Sequence, residues 1–233
     1  GGQGAPLVPA FHQAVFASEG LKRAIVNIGG IANVTILDGH KLVAGFDTGP
    51  GNTLLDCWIK KSRGASFDYL GEWASSGDID PDLLNLLLAD NFFSSPWPKS
   101  TGKELFNLEW LNTNLSKLGK EIPPQNVQAS LCELTASSIA NAILEFDPDE
   151  VYICGGGAKN TQLVGMLTNS LLPAKVESTI SLGFDPDQVE AAAFAWLGHR
   201  TLSGLTNNNP IVTGASGERI LGAIYQSQND KRN

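Results

Sequence analysis

The sequence predicts an α/β fold, a mixed sheet flanked by helices and interrupted by a helical insert. Three observations predict it. Residues 24–47 alternate short Ile- and Val-rich runs with an Asp38-Gly39 turn, the pattern of an antiparallel meander. Residues 62–123 are mostly helical with long loops. Residues 151–154 form a short apolar run that passes through Gly155-Gly156-Gly157 into a helical pattern.

Composition narrows the class. At 42% hydrophobic and 17% charged, the chain has the apolar content to fold. Its 233 residues fit one large domain or two small ones. A net charge of -8 argues against nucleic-acid and anionic-membrane partners. It leaves small anionic ligands open, because backbone N–H groups hold phosphate whatever the net charge. Cys57, Cys132 and Cys154 are widely spaced and never form C-x-x-C, so neither a disulfide framework nor a zinc site is expected. A reducing, cytoplasmic setting fits, and no apolar run has the length of a membrane span.

The elements follow in order. Residues 1–20 read as a Gly-rich loop and a short apolar segment, a connection to something upstream. Strands are expected at 24–27, 32–37 and 41–46, with Ile28-Gly29-Gly30-Ile31 at the first corner. Asp47-Thr48-Gly49-Pro50-Gly51-Asn52 reads as a tight loop, and 53–61 as a helix capped by Asn52 or Thr53. A further helix starts at Asp80-Pro81. Residues 126–146 carry apolar positions at helical spacing. Strand, helix, strand and an Ala-rich helix follow at 151–154, 161–171, 175–178 and 187–200. The body of the lobe is expected over 21–226 and a frayed tail over 227–233.

Four places carry candidate chemistry. Asn27, Gly29, Gly30 and Asn33 frame a corner where glycine lets a ligand approach and N–H groups form an anion nest; a plain hairpin turn is the alternative. Asp47 is placed as a general base beside a glycine loop, as a carboxylate that orients Mg²⁺ through water, or as an Asp that merely bonds its own turn. Gly155, Gly156 and Gly157 before a helix suit a nucleotide, although neither a dinucleotide fingerprint nor a Walker A is present. Glu190 in the first turn of a helix is a site acid or a dipole complement. His12, His40 and His199 are scattered and suggest no metal, and no nucleophile elbow exists.

The order of these features resembles the second lobe of the sugar-kinase, actin and heat-shock-chaperone ATPase superfamily, an actin-like, ribonuclease H-like fold. More specific strings are Gly1-Gly2-Gln3-Gly4-Ala5-Pro6-Leu7, the 27–34 string Asn-Ile-Gly-Gly-Ile-Ala-Asn-Val, and the 46–52 string Phe-Asp-Thr-Gly-Pro-Gly-Asn. Lys99-Ser100-Thr101-Gly102-Lys103-Glu104 and Val212-Thr213-Gly214-Ala215 complete the set. With them the chain resembles the anhydro-N-acetylmuramic acid kinase family over essentially its whole length.

The resemblance implies ATP- and Mg²⁺-dependent phosphorylation of O6 of 1,6-anhydro-N-acetylmuramic acid, with opening of the anhydro ring by water in bacterial cell-wall recycling. It implies Asp47 as the base and Glu190 as a second site acid. It further implies Thr48, Gly49, Gly51 and Asn52 on the substrate, and Mg²⁺ held by ATP phosphates and water rather than by a protein metal site. The family's first phosphate loop has no counterpart here, so an N-terminal lobe is the expected partner and this chain alone is expected to be weakly active or inactive. Phe11–Phe16 is expected to cross to that lobe and leave an apolar surface. A homodimer is the expected assembly. A non-catalytic nucleotide-binding lobe and another sugar kinase of the superfamily are the competing readings.

Overall fold

The computed structural model describes residues 1, 2, 4 and 6–225, so the tail expected over 227–233 lies outside the described residues. Strands β1 (Lys22–Ile28), β2 (Ile31–Asp38) and β3 (Lys41–Pro50) form the antiparallel meander. Strands β4 (Glu150–Cys154) and β5 (Lys175–Ser178) add in parallel on the far side of β1. The sheet order is β3-β2-β1-β4-β5, with both pairing senses as expected of a mixed sheet.

The helices are α1 (Val8–Phe16), α2 (Thr53–Arg63), α3 (Glu72–Ser75), α4 (Pro81–Leu88), α5 (Asn91–Ser94), α6 (Leu108–Leu118), α7 (Pro124–Leu144), α8 (Thr161–Ser170), α9 (Val189–Leu202) and α10 (Pro210–Thr213). Asp80 caps α4 through a 3.0 Å bond from the Leu83 N–H, with Pro81 at the first helical position. The expected cap on α2 is different. Asn52 makes no side-chain cap; its amide donates to the Ile28 carbonyl at 3.2 Å, and Thr53 is already helical.

The two faces of the sheet divide the core. Ala24, Val26, Ile28, Val34, Ile36 and Phe46 pack toward the helical insert, where α7 is buried among its neighbours. Ile25, Leu37, Leu42 and Tyr152 pack on the other face with Phe11 and Phe16 of α1 and Val189 and Ala193 of α9. The period of two along each strand produces this division. Phe11 and Phe16, expected to be left exposed, are 3% and 1% exposed. The reason is local: α1 lays its aromatic stripe on the same sheet that follows it in sequence, with edge-on contacts from Phe11 and Phe16 to Phe184.

β3 also runs further than the sequence suggests. Residues 47–50 are strand rather than loop. Two register shifts accommodate them, one leaving Val43 and one leaving Thr48 as the extra residue opposite β2. Glycine and proline are tolerated there because β3 is an edge strand.

Candidate active site

One row of side chains crosses the sheet. Cys154 pairs with Asn27, Asn27 with Asn33, and Asn33 with Asp47. Directly paired residues share a face, so four strands present four polar groups in a line. Asp47 follows Phe46 in unbroken register and so faces away from the helical insert, and the bulge at Thr48 then brings Gly49 opposite Ala32.

The row floors a cleft of about 350 Å³. Pro6–Pro9 and His12 wall it on one side, and Val189, Glu190 and Phe194 of α9 on another. Lys99 and Ser100 close the Asp47 end. Glu190 is exposed in the first turn of α9, facing the Cys154 end. Burial first, and the nearby Glu190 charge second, push the Cys154 thiol up to about 12, so it stays protonated. The thiol lies 3.8 Å from Asn27 Oδ1.

Asp47 is held in place. Its Oδ2 accepts the Ser100 hydroxyl at 2.8 Å and the Thr101 N–H at 2.9 Å. Its own N–H donates to the Lys99 carbonyl at 3.0 Å. Lys99 is anchored in turn, its ammonium donating to the Phe92 and Phe93 carbonyls at 3.0 and 3.1 Å. Burial holds the Lys99 pKa below its ordinary value, against the pull of Glu145. Both bonds from the loop land on Oδ2; Oδ1 takes no hydrogen bond among the described residues. A carboxylate fixed through one oxygen can accept a proton on the other.

The glycine corners lie beside this cleft. Gly155 has φ +78°, and a Cβ there would stand 2.5 Å from Asn27 Oδ1 and 2.8 Å from the Ile28 carbonyl. Gly157 lies against Ile28 as closely, and Gly51 against the Gly29 carbonyl. The Gly29 and Gly30 carbonyls accept from Gly51, Asn52 and Thr53 N–H groups at 2.8–3.1 Å. Thr135 of α7 donates to the Gly51 carbonyl at 3.1 Å, tying the corner to the central helix.

Of the residues singled out from sequence, Asp47, Asn33, Asn27 and Glu190 line the one cleft. Gly29, Gly30, Gly51, Asn52 and Gly155–Gly157 form the neighbouring corner. Thr48 and Gly49 are placed elsewhere. The Thr48 hydroxyl donates to the Ala32 carbonyl at 3.2 Å, and Gly49 backs onto Phe93 and Ser138. Sequence reasoning gave no individual role to Ser100, Thr101, His12 or Lys103. Their only signal was membership of a motif string or a helical stripe.

Sheet order and glycine corners define an actin-like ATPase fold. The solved activator of the 2-hydroxyisocaproyl-CoA dehydratase from Clostridium difficile with bound ADPNP superimposes with a TM-score of 0.51 at 15% identity, covering 79% of this chain and 61% of that one. The family model for anhydro-N-acetylmuramic acid kinase matches residues 1–227, and the chain belongs to that family. The anhydro-N-acetylmuramic acid kinase of Pseudomonas fluorescens (strain Pf0-1) is 52% identical over 227 residues, 97% of this chain and 62% of the relative. That of Haemophilus influenzae (strain ATCC 51907 / DSM 11121 / KW20 / Rd) is 51% identical over 237 residues, with the same coverage. The chain thus spans 62% of the length of these curated relatives.

Proposed function

We propose that the protein to which this chain belongs phosphorylates O6 of 1,6-anhydro-N-acetylmuramic acid with ATP while water opens the anhydro bridge, giving N-acetylmuramate 6-phosphate. The observation that carries this is Asp47, fixed through Oδ2 in a cleft of sugar size with Oδ1 open. Water adds at C1 as the C1–O6 bond breaks, and Asp47 takes the water proton. The freed O6 attacks the terminal phosphorus, and the bond to ADP breaks. One carboxylate beside both centres couples the two events by position.

Asn27 and Asn33 bring neutral donors and acceptors for sugar hydroxyls, and Glu190 brings a second carboxylate at the opposite end. The glycine corners fit a nucleotide. Gly29 and Gly30 N–H groups find no acceptor among the described residues, and Gly155 can adopt its positive φ only without a side chain. Among the described residues no three His, Cys, Asp or Glu side chains converge on a metal position. Mg²⁺ carried by the nucleotide phosphates and water would supply charge neutralisation during transfer. The first phosphate loop comes from the remaining length that the relatives have, and turnover requires it. We place the protein in the bacterial cytoplasm as a homodimer.

The test is turnover of ATP and the anhydro sugar in ¹⁸O-labelled water, read by mass spectrometry, in a full-length family protein carrying this sequence. Wild type is expected to give a sugar phosphate with one ¹⁸O at C1. Asp47→Asn is expected to lose about 1,000-fold or more in kcat. A wild type that binds ATP and forms no sugar phosphate overturns the reading.

A further inference from the structure

Lys103 follows the loop that holds Asp47, in the turn over residues 103–105, and it is exposed. Its side chain nevertheless reaches the glycine corner. From the point where a Cβ would stand on Gly30, Lys103 Cε is 3.0 Å away, Lys103 Nζ 3.6 Å and Thr53 Oγ1 2.8 Å. Two side chains, Lys103 and Thr53, therefore converge on a space that any other residue at position 30 would fill.

Each polar group there can donate a hydrogen bond. The Gly29 and Gly30 carbonyls are turned to Gly51, Asn52 and Thr53, and their own N–H groups have no acceptor among the described residues. Thr53 is 7% exposed, and its hydroxyl has no hydrogen-bond partner among the described residues. A buried hydroxyl left in this way costs stability unless a ligand satisfies it. Thr53 is also the first residue of α2, an eleven-residue helix whose N-terminal end favours negative charge. Lys103 makes no ion pair within 4.0 Å among the described residues; Asp56 acts on it only through space. A cation, an orphaned hydroxyl free to donate, two N–H groups and a helix end make a receptor for a tetrahedral oxyanion.

We propose that Lys103 is a further catalytic residue, its ammonium gripping the transferred phosphoryl group together with the Thr53 hydroxyl and the Gly29–Gly30 corner. The inference rests on the phosphotransfer reading above. As the bond from phosphorus to the ADP oxygen breaks and the bond to O6 forms, charge spreads over the three equatorial oxygens. Lys103 balances that charge and transfers no proton. The 99–104 loop then has two ends with two tasks: Ser100 and Thr101 set Asp47, and Lys103 sets the phosphate. Water activation and phosphoryl transfer are registered by one short segment.

The test uses Lys103→Met, Lys103→Arg and Thr53→Val in the full-length protein. Lys103→Met is expected to lower kcat about 100-fold, the scale of removing one preorganised donor of transition-state charge. KM for the anhydro sugar is expected to stay within about threefold, because the lysine acts on phosphate and not on sugar. Lys103→Arg keeps the charge and is expected to recover about tenfold of the loss. Thr53→Val is expected to lower kcat about tenfold. Lys103→Met with kcat within about threefold of wild type overturns the inference while the phosphotransfer reading stands. Should wild type make no sugar phosphate, calorimetry with ATP and with ADP decides separately. Loss of about tenfold in ATP affinity by Lys103→Met, with ADP unchanged, supports the grip, and equal affinities overturn it.

Discussion

Asp56 shows what the proposed phosphate corner costs the resting fold. It lies in the first turn of α2, half-buried, and burial pushes its carboxyl up to about 6, partly offset by the Lys103 charge. A carboxyl whose folded pKa stands above its unfolded value stabilises the fold only while protonated. Stability from this group is therefore present below about pH 4 and lost as pH rises through 6. Asp56→Asn is expected to stabilise the chain by about 1 kcal/mol at pH 7.5, a figure reduced for partial exposure. The gain is expected to vanish near pH 4, read as the urea midpoint at both pH values. An equal gain at both would mean packing and not charge. The proposed base was legible in the sequence because Asp47 stands inside a distinctive string. Its tether was not, because Ser100 and Thr101 lie 53 and 54 residues away and only the folded sheet brings them to Oδ2.

At the scale of elements, strand–turn–helix signals carried far. Asp38-Gly39, Asp80-Pro81 and Gly155–Gly157 each fall where the structure turns, starts a helix or leaves a strand. What failed was the end of β3, where Gly49 and Pro50 read as loop punctuation. Edge position and the Thr48 bulge override that chemistry, and neither is local information. The aromatic stripe of α1 was visible, but not which surface would cover it. Glycines separate by element in a way that mutagenesis can read. Gly155 has φ +78° and ψ 177°, and meets Asn27 and Ile28. Gly155→Ala is expected to cost about 3 kcal/mol from strain and overlap together. Gly165 sits inside α8 with nothing within 4 Å of a built Cβ. Gly165→Ala is expected to add about 1 kcal/mol. Chemical denaturation of both variants checks the pair, and equal effects would contradict this placement of the glycine turn.

Across the whole molecule, the sheet's second face depends on a buried, uncharged histidine. His12 of α1 is fully buried, with Nδ1 2.9 Å from Thr35 Oγ1 and Nε2 without a partner among the described residues. Burial lowers its pKa to about 3. The unfolded chain takes up a proton near 6.5, so it binds more protons than the folded chain between about pH 6.5 and 3. Folding stability should fall on acidification by up to about 1.4 kcal/mol per pH unit from this group, opposing the Asp56 trend. His12→Gln is expected to flatten the fall in urea midpoint between pH 7 and 4. An unchanged slope would place the acid sensitivity elsewhere.

The sheet joins its two halves through β1 and β4, whose pairing starts with Arg23 opposite Glu150 and a 2.8 Å ion pair spanning 127 residues. During synthesis the meander closes from neighbouring residues, but the inner edge of β1 has no partner until β4 leaves the ribosome. Ile25 and Val26, both fully buried in the finished protein, lie on that open edge in the meantime. Contacts of such long sequence separation form slowly and leave sticky edges exposed while they wait. Expression yield of this chain is therefore expected to depend on how the nascent chain is kept from pairing with its neighbours, as well as on its final stability.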